Sequence, residues 1–187
     1  MTNPLKEQVL ASAKALFMER GYENVGMREI AEAVGRQPVQ VYRLKLSKSD
    51  ILAELVIRLN QEQIHQLPKL CKRAKGATPF DRTCAYLREL YKLDIQYMPI
   101  RSVGAAFGWL WSADYERRVI KQVMQLVKPV ADWMLEAGLD DIPSRCIGIW
   151  MLYYVGYRRA VMNGDTANDC LQSIKPSLRY FFASRVS

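Results

Sequence analysis

Two short stretches of helical periodicity, separated by a glycine, constrain this chain more than any other feature. The first carries Met27, Ile30 and Val34 at the spacing of one buried helical stripe, and Gly35 follows it directly. The second begins at Pro38, which suits the first position of a helix because proline has no N–H to leave unpaired there. Two helices this short, joined by a turn of three or four residues that contains glycine, predict a helix-turn-helix.

Longer helical patterns flank this pair. The stripe from Leu5 to Phe17 predicts a first helix over about residues 4–20, and a connecting helix is predicted from Lys48 until its stripe is lost near Pro68. Further helices are predicted at about 79–97, 99–112, 115–137, 143–163 and 166–184, with Pro129 and Pro176 expected to kink or interrupt two of them. No stretch alternates like a strand. We therefore predict an all-α chain of about nine helices, with a helix-turn-helix domain at 1–48 and a larger helical domain at 49–187.

Composition narrows the classes of function. The formal net charge of +8 favours a polyanionic partner. The four cysteines form no CxxC pair, so we expect no metal site, no disulfide framework and a reducing, cytoplasmic location. No apolar stretch is long enough to span a membrane. The one histidine, His65, has no nucleophile beside it and no phosphate-binding loop is present, so we expect neither an enzyme nor a bound cofactor.

A set of features spread over about 45 residues without a gap carries a family resemblance. They are Leu16-Phe17, Gly21-Tyr22, Arg28-Glu29-Ile30-Ala31, Val34-Gly35, Tyr42 and Lys48. Together they resemble the N-terminal DNA-binding domain of the TetR family of transcriptional regulators. The resemblance covers about a quarter of the chain, and the remainder matches the family only in length and helical character.

The resemblance implies that the third helix enters the major groove of duplex DNA. Glutamine can pair with adenine and arginine with guanine, and each pairing is worth roughly 1–3 kcal/mol of discrimination. The residues predicted to face bases are Gln37, Pro38, Val39, Gln40 and Arg43. A second set is predicted to contact phosphates, either because its members match the family pattern or because they lie next to matched positions in the sequence. These residues are Gly26, Arg28, Tyr42, Lys45 and Lys48. The alternative is that the polar residues of this short helix are only solvated.

Three positions depart from the family pattern. Gly26 and Gln37 stand where the family usually has a serine or threonine at a helix start, so both helix caps are expected to be weak. Lys45 stands at the usual aromatic position, and we expect Leu44 or Leu46 to take over the packing while Lys45 extends toward the DNA backbone. These departures keep open a second interpretation, in which the chain is a helical dimerising or ligand-binding protein that has lost DNA binding.

For the C-terminal domain the resemblance implies a small-molecule effector and a homodimer formed by the last two helices. Aromatic and flexible apolar residues are the candidates for an effector pocket, with ordinary core packing as the alternative: Tyr86, Leu90, Tyr91, Met98, Phe107, Trp109, Leu110, Trp111, Trp150, Met151 and Tyr154. The candidates for the dimer interface are Ile149, Tyr153, Tyr157, Leu171, Ile174, Leu178 and Phe181. The predicted function is a homodimeric repressor that binds a palindromic operator and is released by an apolar or amphipathic ligand.

Overall fold

A computed structural model describes residues 3–107 and 110–183. Within these residues every regular element is a helix, which confirms the all-α prediction, and nine α-helices are present. Their bounds are α1 Pro4–Arg20, α2 Met27–Ala33, α3 Pro38–Tyr42, α4 Lys48–Arg73, α5 Pro79–Gln96, α6 Met98–Phe107, α7 Ala113–Glu136, α8 Ile142–Asn163 and α9 Ala167–Tyr180.

Local side-chain chemistry determines where several of these helices begin and end. Asn3 caps α1 by accepting the Leu5 N–H at 3.0 Å, and Gly21 ends that helix with a φ of 80°. The start of α4 is a reciprocal cap in which Ser47 Oγ accepts the Asp50 N–H at 3.1 Å and the Asp50 carboxylate accepts the Ser47 N–H at 2.8 Å. These caps satisfy backbone groups that have no partner inside the helix.

Three prolines lie inside helices. α4 continues past Pro68 to Arg73, so the predicted end near Pro68 is wrong, because Leu70 and Ala74 are buried and their packing holds the final turn in place. Neither Pro129 in α7 nor Pro176 in α9 interrupts its helix. Packing of the flanking turns outweighs the one hydrogen bond that each proline removes.

The described residues divide into two compact units, and the first comprises 3–61, 97–107 and 110–120. Its core is formed by apolar residues of α1–α4, of α6 and of the connection between α1 and α2: Val9, Leu10, Ala13, Phe17, Tyr22, Val25, Ile30, Ala31, Val41, Ile51, Leu52, Leu55, Val56, Leu59 and Ile100. The predicted stripes of the first three helices therefore contribute to one shared core. The functional division at residue 48 stays a prediction.

Ion pairs fasten α1 to α4 within this first unit. Glu54 is only 8% exposed, and its carboxylate accepts hydrogen bonds from Lys6 Nζ at 2.9 Å and from Arg118 at 3.2 Å. Burial alone would raise the pKa of Glu54, but the bonds from Arg118 and Lys6 outweigh it and lower that pKa. A second pair joins Arg58 to Glu7 at 2.7 Å. Glu54 therefore remains ionised between two cations.

The second unit comprises residues 62–96 and 121–183. α9 packs on α8 and α5. In its core Tyr91 stacks on Tyr153 with ring centroids 4.3 Å apart, and the Tyr91 hydroxyl donates to the Tyr153 carbonyl oxygen at 2.9 Å. The Tyr153 hydroxyl in turn donates to the Asp94 carboxylate at 2.8 Å. Specific hydrogen bonds thus accompany the aromatic packing of α5 against α8.

Gly156 marks a close approach of α8 to α5 and α9. A β-carbon at this position would overlap the Tyr91 hydroxyl and lie 3.0 Å from the Cys170 carbonyl oxygen. We therefore expect Gly156→Ala to lower the free energy of unfolding by about 1–3 kcal/mol, as overpacked cores do. Tyr91→Phe removes the overlapping hydroxyl, so the double variant should be more stable than the sum of the two single losses. Denaturant unfolding of all three variants measures this coupling, and strictly additive losses would contradict it.

Candidate nucleic-acid interface

The turn between α2 and α3 is closed by two backbone hydrogen bonds. The Gly35 N–H donates to the Glu32 carbonyl oxygen at 2.9 Å, and the Arg36 N–H donates to the Ala31 carbonyl oxygen at 3.0 Å. Gly35 has a φ of 63°, the left-handed conformation that glycine adopts at low cost after a helix. This arrangement ends α2 and lets α3 start at Pro38, and the two helices pack on each other.

α3 buries one residue and exposes most of the others. Val41 is 1% exposed, which anchors the helix in the core of the first unit. The residues predicted to face bases are exposed except for Pro38, which is half-buried: Gln37, Val39, Gln40 and Arg43. Tyr42, predicted to contact phosphate, is also exposed. Polar and apolar groups therefore lie together on one outward surface, which we call the α3 surface (Gln37, Val39, Gln40, Tyr42 and Arg43).

One member of the α3 surface has a second role. The Gln40 side-chain oxygen accepts the Gln37 N–H at 3.2 Å, so Gln40 caps the helix in which it lies. Gln37 makes no side-chain cap of its own, and its amide is not tied to the start of α3. Of the two glutamines, Gln37 is accordingly the one whose amide can pair with a base edge without breaking a helix cap.

The first turn of α2 is held by a residue that the sequence interpretation did not single out. Glu29 accepts the Gly26 N–H at 2.7 Å and also accepts a hydrogen bond from Arg20. The backbone bond from Gly26 and the bond from Arg20 lower the pKa of Glu29. Glutamate three residues after an N-cap is the spacing of a capping box, and that signal was present in the sequence. Glu29 therefore compensates for the hydroxyl that Gly26 lacks.

The predicted phosphate contacts occupy different environments. Gly26, Arg28 and Lys45 are exposed. Lys48 is half-buried, and its ammonium group lies 4.1 Å from the centroid of the Tyr22 ring, which orients it by a cation–π contact. Because Tyr22 is itself buried in the core of the first unit, the packing of that core fixes the ring against which the Lys48 ammonium group lies.

Lys45 adopts an uncommon backbone conformation for a residue with a β-carbon. Its φ is 53°, while Leu44 and Leu46 on either side pack against the core of the first unit. Both leucines thus supply the packing that was expected from at least one of them. Lys45 therefore does not have to replace the aromatic residue in the core, and its side chain is exposed.

The conformation of Lys45 predicts different effects of two small substitutions. Left-handed backbone costs about 1 kcal/mol or more in residues other than glycine. Lys45→Gly removes this cost and Lys45→Ala does not, so we expect the glycine variant to be more stable than the alanine variant by about 1 kcal/mol. Both variants lose the ammonium group and should show the same reduced salt dependence of DNA binding. Thermal unfolding of the pair checks the first statement, and an alanine variant as stable as the glycine variant would refute it.

The predicted effector-pocket residues belong to both compact units. Tyr86, Leu90 and Tyr91 are buried in the packed core of the second unit. Trp150, Met151 and Tyr154 lie on α8 in the same unit, with Trp150 half-buried and the other two exposed. Met98, Leu110 and Trp111 belong to the first unit, as does Phe107 at the end of α6. Trp109 lies outside the described residues.

The predicted dimer-interface residues face inward. Six of them are at most 4% exposed within the protomer, namely Ile149, Tyr153, Tyr157, Leu171, Ile174 and Leu178, and Phe181 is half-buried. Residues this buried offer no surface to a second subunit. The prediction that these side chains of α8 and α9 form the dimer interface therefore needs correction. The opposite side of α8 is exposed and apolar instead. This surface, which we call the α8 stripe, consists of Ile147, Met151, Tyr154, Val155, Val161 and Met162.

None of the helices in the described part of the chain is long and apolar enough to cross a membrane.

Comparison with known proteins gives one family match, which covers the helix-turn-helix segment. Residues 9–55 match the family model for bacterial regulatory proteins of the tetR family. That segment contains α2, α3, their turn, most of α1 and the first turns of α4. No curated protein matches the chain.

Several solved structures share the fold over almost the whole chain. A TetR/AcrR-family transcriptional regulator from Thermobifida fusca YX-ER1 is 20% identical, with 99% of this chain and 100% of that chain covered and a TM-score of 0.66. A tetR-family regulatory protein from Rhodococcus RHA1 is 16% identical, with coverage of 98% and 99% and a TM-score of 0.65. The regulator FadR from Bacillus subtilis, solved in complex with stearoyl-CoA, is 16% identical, with coverage of 97% and 99% and a TM-score of 0.67. The helix-turn-helix segment thus matches the tetR family model in sequence, and the helical fold of the described residues is similar to that of solved TetR-family transcriptional regulators.

Proposed function

We propose that the protein is a homodimeric repressor that binds a palindromic operator through α3 and is released from it by an apolar or amphipathic small molecule. The observation that carries this proposal is the α3 surface, which exposes amide, guanidinium and apolar groups on a helix anchored by Val41. A surface of this composition suits the major groove, where every base pair presents a distinct pattern of donors, acceptors and methyl groups.

Each group on the α3 surface has a matching partner on duplex DNA. The Arg43 guanidinium can donate two hydrogen bonds to guanine, the Gln37 amide can pair with adenine, and Val39 can pack on a thymine methyl group. Pro38 and Gln40 complete the surface that approaches the bases. Phosphate contacts from Tyr42, Lys48, Arg28, Lys45 and the exposed backbone of Gly26 would hold α3 in register.

The α8 stripe supports a dimer. Met151 and Met162 are 58% and 65% exposed, and they share the stripe with Ile147 and Val155, which are both 60% exposed. Exposed Arg158 lies among these side chains, and a set of exposed large apolar residues on one helix face is typical of a protein–protein interface. We propose that two copies of α8 cover each other's stripes about a twofold axis. Two recognition helices about 34–36 Å apart, or a near multiple of that distance, could then read a palindrome.

The class of effector is argued from the aromatic residues of the second unit. Trp150 stacks on Tyr153 at a centroid distance of 5.2 Å, and Tyr153 stacks on Tyr91. Because Tyr86, Leu90 and Tyr91 are packed, a ligand has to open this core, and the free energy of opening reduces its apparent affinity. The similarly folded FadR of Bacillus subtilis was solved with stearoyl-CoA, which makes acyl thioesters the first compounds to test.

DNA binding is tested by selecting bound fragments from genomic DNA and comparing them with random duplex in gel-shift assays at several salt concentrations. We expect affinity that falls steeply with salt and a preference for one palindromic fragment by a factor of about 10³ or more. Equal affinity for selected and random duplexes would contradict a sequence-specific regulator.

Release by ligand needs a separate measurement. Long-chain and short-chain acyl-CoA thioesters are compared for their effect on the melting temperature and on the affinity for the selected fragment. We expect a compound that raises the melting temperature to lower operator affinity as well. If every stabilising compound leaves operator affinity unchanged, the inducible part of the proposal is wrong.

A further inference from the structure

Arg36 occupies a position whose geometry is fixed by the turn between α2 and α3. Its N–H closes the turn on the Ala31 carbonyl oxygen at 3.0 Å, and the next residue, Gln37, is the N-cap of α3. The backbone that carries the Arg36 side chain is thus held at the entrance to the recognition helix. Its placement does not depend on a mobile loop.

The residue type at this position is unusual for the turn that it closes. In a turn with this hydrogen-bond pattern, the residue after the left-handed glycine is frequently apolar and packs back on the last turn of the helix. Ala31, the residue that such a side chain would cover, is fully buried, whereas Arg36 is exposed. Because the Arg36 side chain is exposed, core packing does not require an arginine at this position.

Ion pairing does not explain it either. Across 3–107 and 110–183, Arg36 is absent from every ion pair, in contrast to Arg20, which is paired with Glu29. The same is true of Arg28, Arg43 and Lys45, which are also exposed. Four cations without a carboxylate partner among the described residues therefore lie on or beside α2, α3 and the turn between them. Such a set attracts a polyanion, and guanidinium groups match the geometry of phosphate.

We infer that Arg36 binds a backbone phosphate of the operator beside the bases that α3 reads, and so sets the register of α3 in the groove. This role rests on the proposed function and adds a residue that neither the family pattern nor the helix periodicity indicates. Phosphate contacts carry no sequence information of their own, but they fix orientation and supply affinity on every sequence. The competing explanation is that Arg36 only stabilises the negative C-terminal end of α2.

The experiment compares Arg36→Ala and Arg36→Lys with the unaltered protein on a random-sequence duplex over a range of NaCl concentrations. Lys72→Ala is the matched control, because Lys72 is an exposed cation of the second unit. We expect the plot of log affinity against log salt to become shallower by about 0.9 for each phosphate that Arg36→Ala no longer neutralises. Arg36→Lys and Lys72→Ala should keep the slope of the unaltered protein.

Three results would overturn the inference. An unchanged slope in Arg36→Ala together with a lower melting temperature assigns Arg36 to the helix end alone. An equal reduction of slope in Lys72→Ala shows that the slope reports total charge and not a specific phosphate contact. If the unaltered protein binds no duplex, both the proposed function and this inference fail. If the unaltered protein binds duplex and Arg36→Ala has the same slope, only the inference about Arg36 fails.

Discussion

Replacing Met151 by glutamate is expected to leave each protomer folded while reducing the affinity for a palindromic operator by about 10²–10⁴-fold. Met151 is 58% exposed, so a charged side chain there is solvated in the monomer. In the proposed dimer the same substitution places two like charges in an apolar interface, which disfavours association. A monomer binds only one half-site of the operator. It therefore loses the gain in effective concentration that comes from linking two recognition helices in one dimer.

Met151→Leu is the matched control, since it changes the shape of the side chain and keeps its apolar character. Light scattering gives the mass in solution, and gel-shift titration gives the operator affinity. We expect Met151→Leu to remain dimeric and to bind as the unaltered protein does. A Met151→Glu protein that stays dimeric with full operator affinity would show that the interface lies away from the α8 stripe.

The second large effect is expected at the core of the first unit. Phe17 is fully buried and meets Tyr22 edge to face at a centroid distance of 5.2 Å, and Tyr22 in turn orients Lys48. Removing the ring leaves a cavity, so Phe17→Ala should lower the free energy of unfolding by about 3–5 kcal/mol. Because Tyr22 loses its support, the proposed phosphate contact from Lys48 should weaken in the fraction that remains folded.

Denaturant unfolding and DNA titration are carried out on the same samples. Phe17→Leu retains most of the buried volume and should cost less than about 1.5 kcal/mol. Arg28→Ala serves as the opposite control, since Arg28 is exposed: it should reduce DNA affinity with little loss of stability. Similar stability of Phe17→Ala and Phe17→Leu would mean that Phe17 does not hold this core together.

The N-terminal helices could be predicted closely because their buried apolar residues recur at the three- and four-residue spacing of a helical stripe. Leu5 to Phe17 has the spacing of a single buried stripe, and the predicted range of 4–20 is the observed Pro4–Arg20. Gly35 and Pro38 mark the end of α2 and the first residue of α3 by backbone chemistry that needs no tertiary contact. One-sided patterns with strong end signals determine both the type and the bounds of an element.

The faces of α8 could not be assigned from the sequence because that helix is apolar nearly all round. Tyr153 and Tyr157 face inward since their hydroxyls bond to Asp94 on α5, at 2.8 Å to its carboxylate and 3.3 Å to its backbone oxygen. Those partners lie about 60 residues earlier in the chain, and periodicity carries no information on such pairings. The α8 residues predicted for the interface, Ile149, Tyr153 and Tyr157, are consequently on the side of the helix opposite the α8 stripe.

The hydrogen-bond partner of Gln40 also could not be predicted from the sequence. Its type and position on α3 indicated a base contact, but its side-chain oxygen bonds to the Gln37 N–H of the same helix. A polar side chain at this position can pair with DNA or with its own backbone, and the sequence does not distinguish the two partners. Glu29 differs in this respect, because its capping-box spacing after Gly26 was visible in the sequence and its bonds to Gly26 and Arg20 bear it out.

If the α3 surface reads duplex DNA twice in one symmetric assembly, footprinting on a fragment selected from genomic DNA should show it. We predict two protected segments of major groove with centres about 34–36 Å apart, or a near multiple of this distance. Arg43→Ala should weaken both segments equally. Protection of a single segment, or a footprint that Arg43→Ala leaves unchanged, would contradict the account.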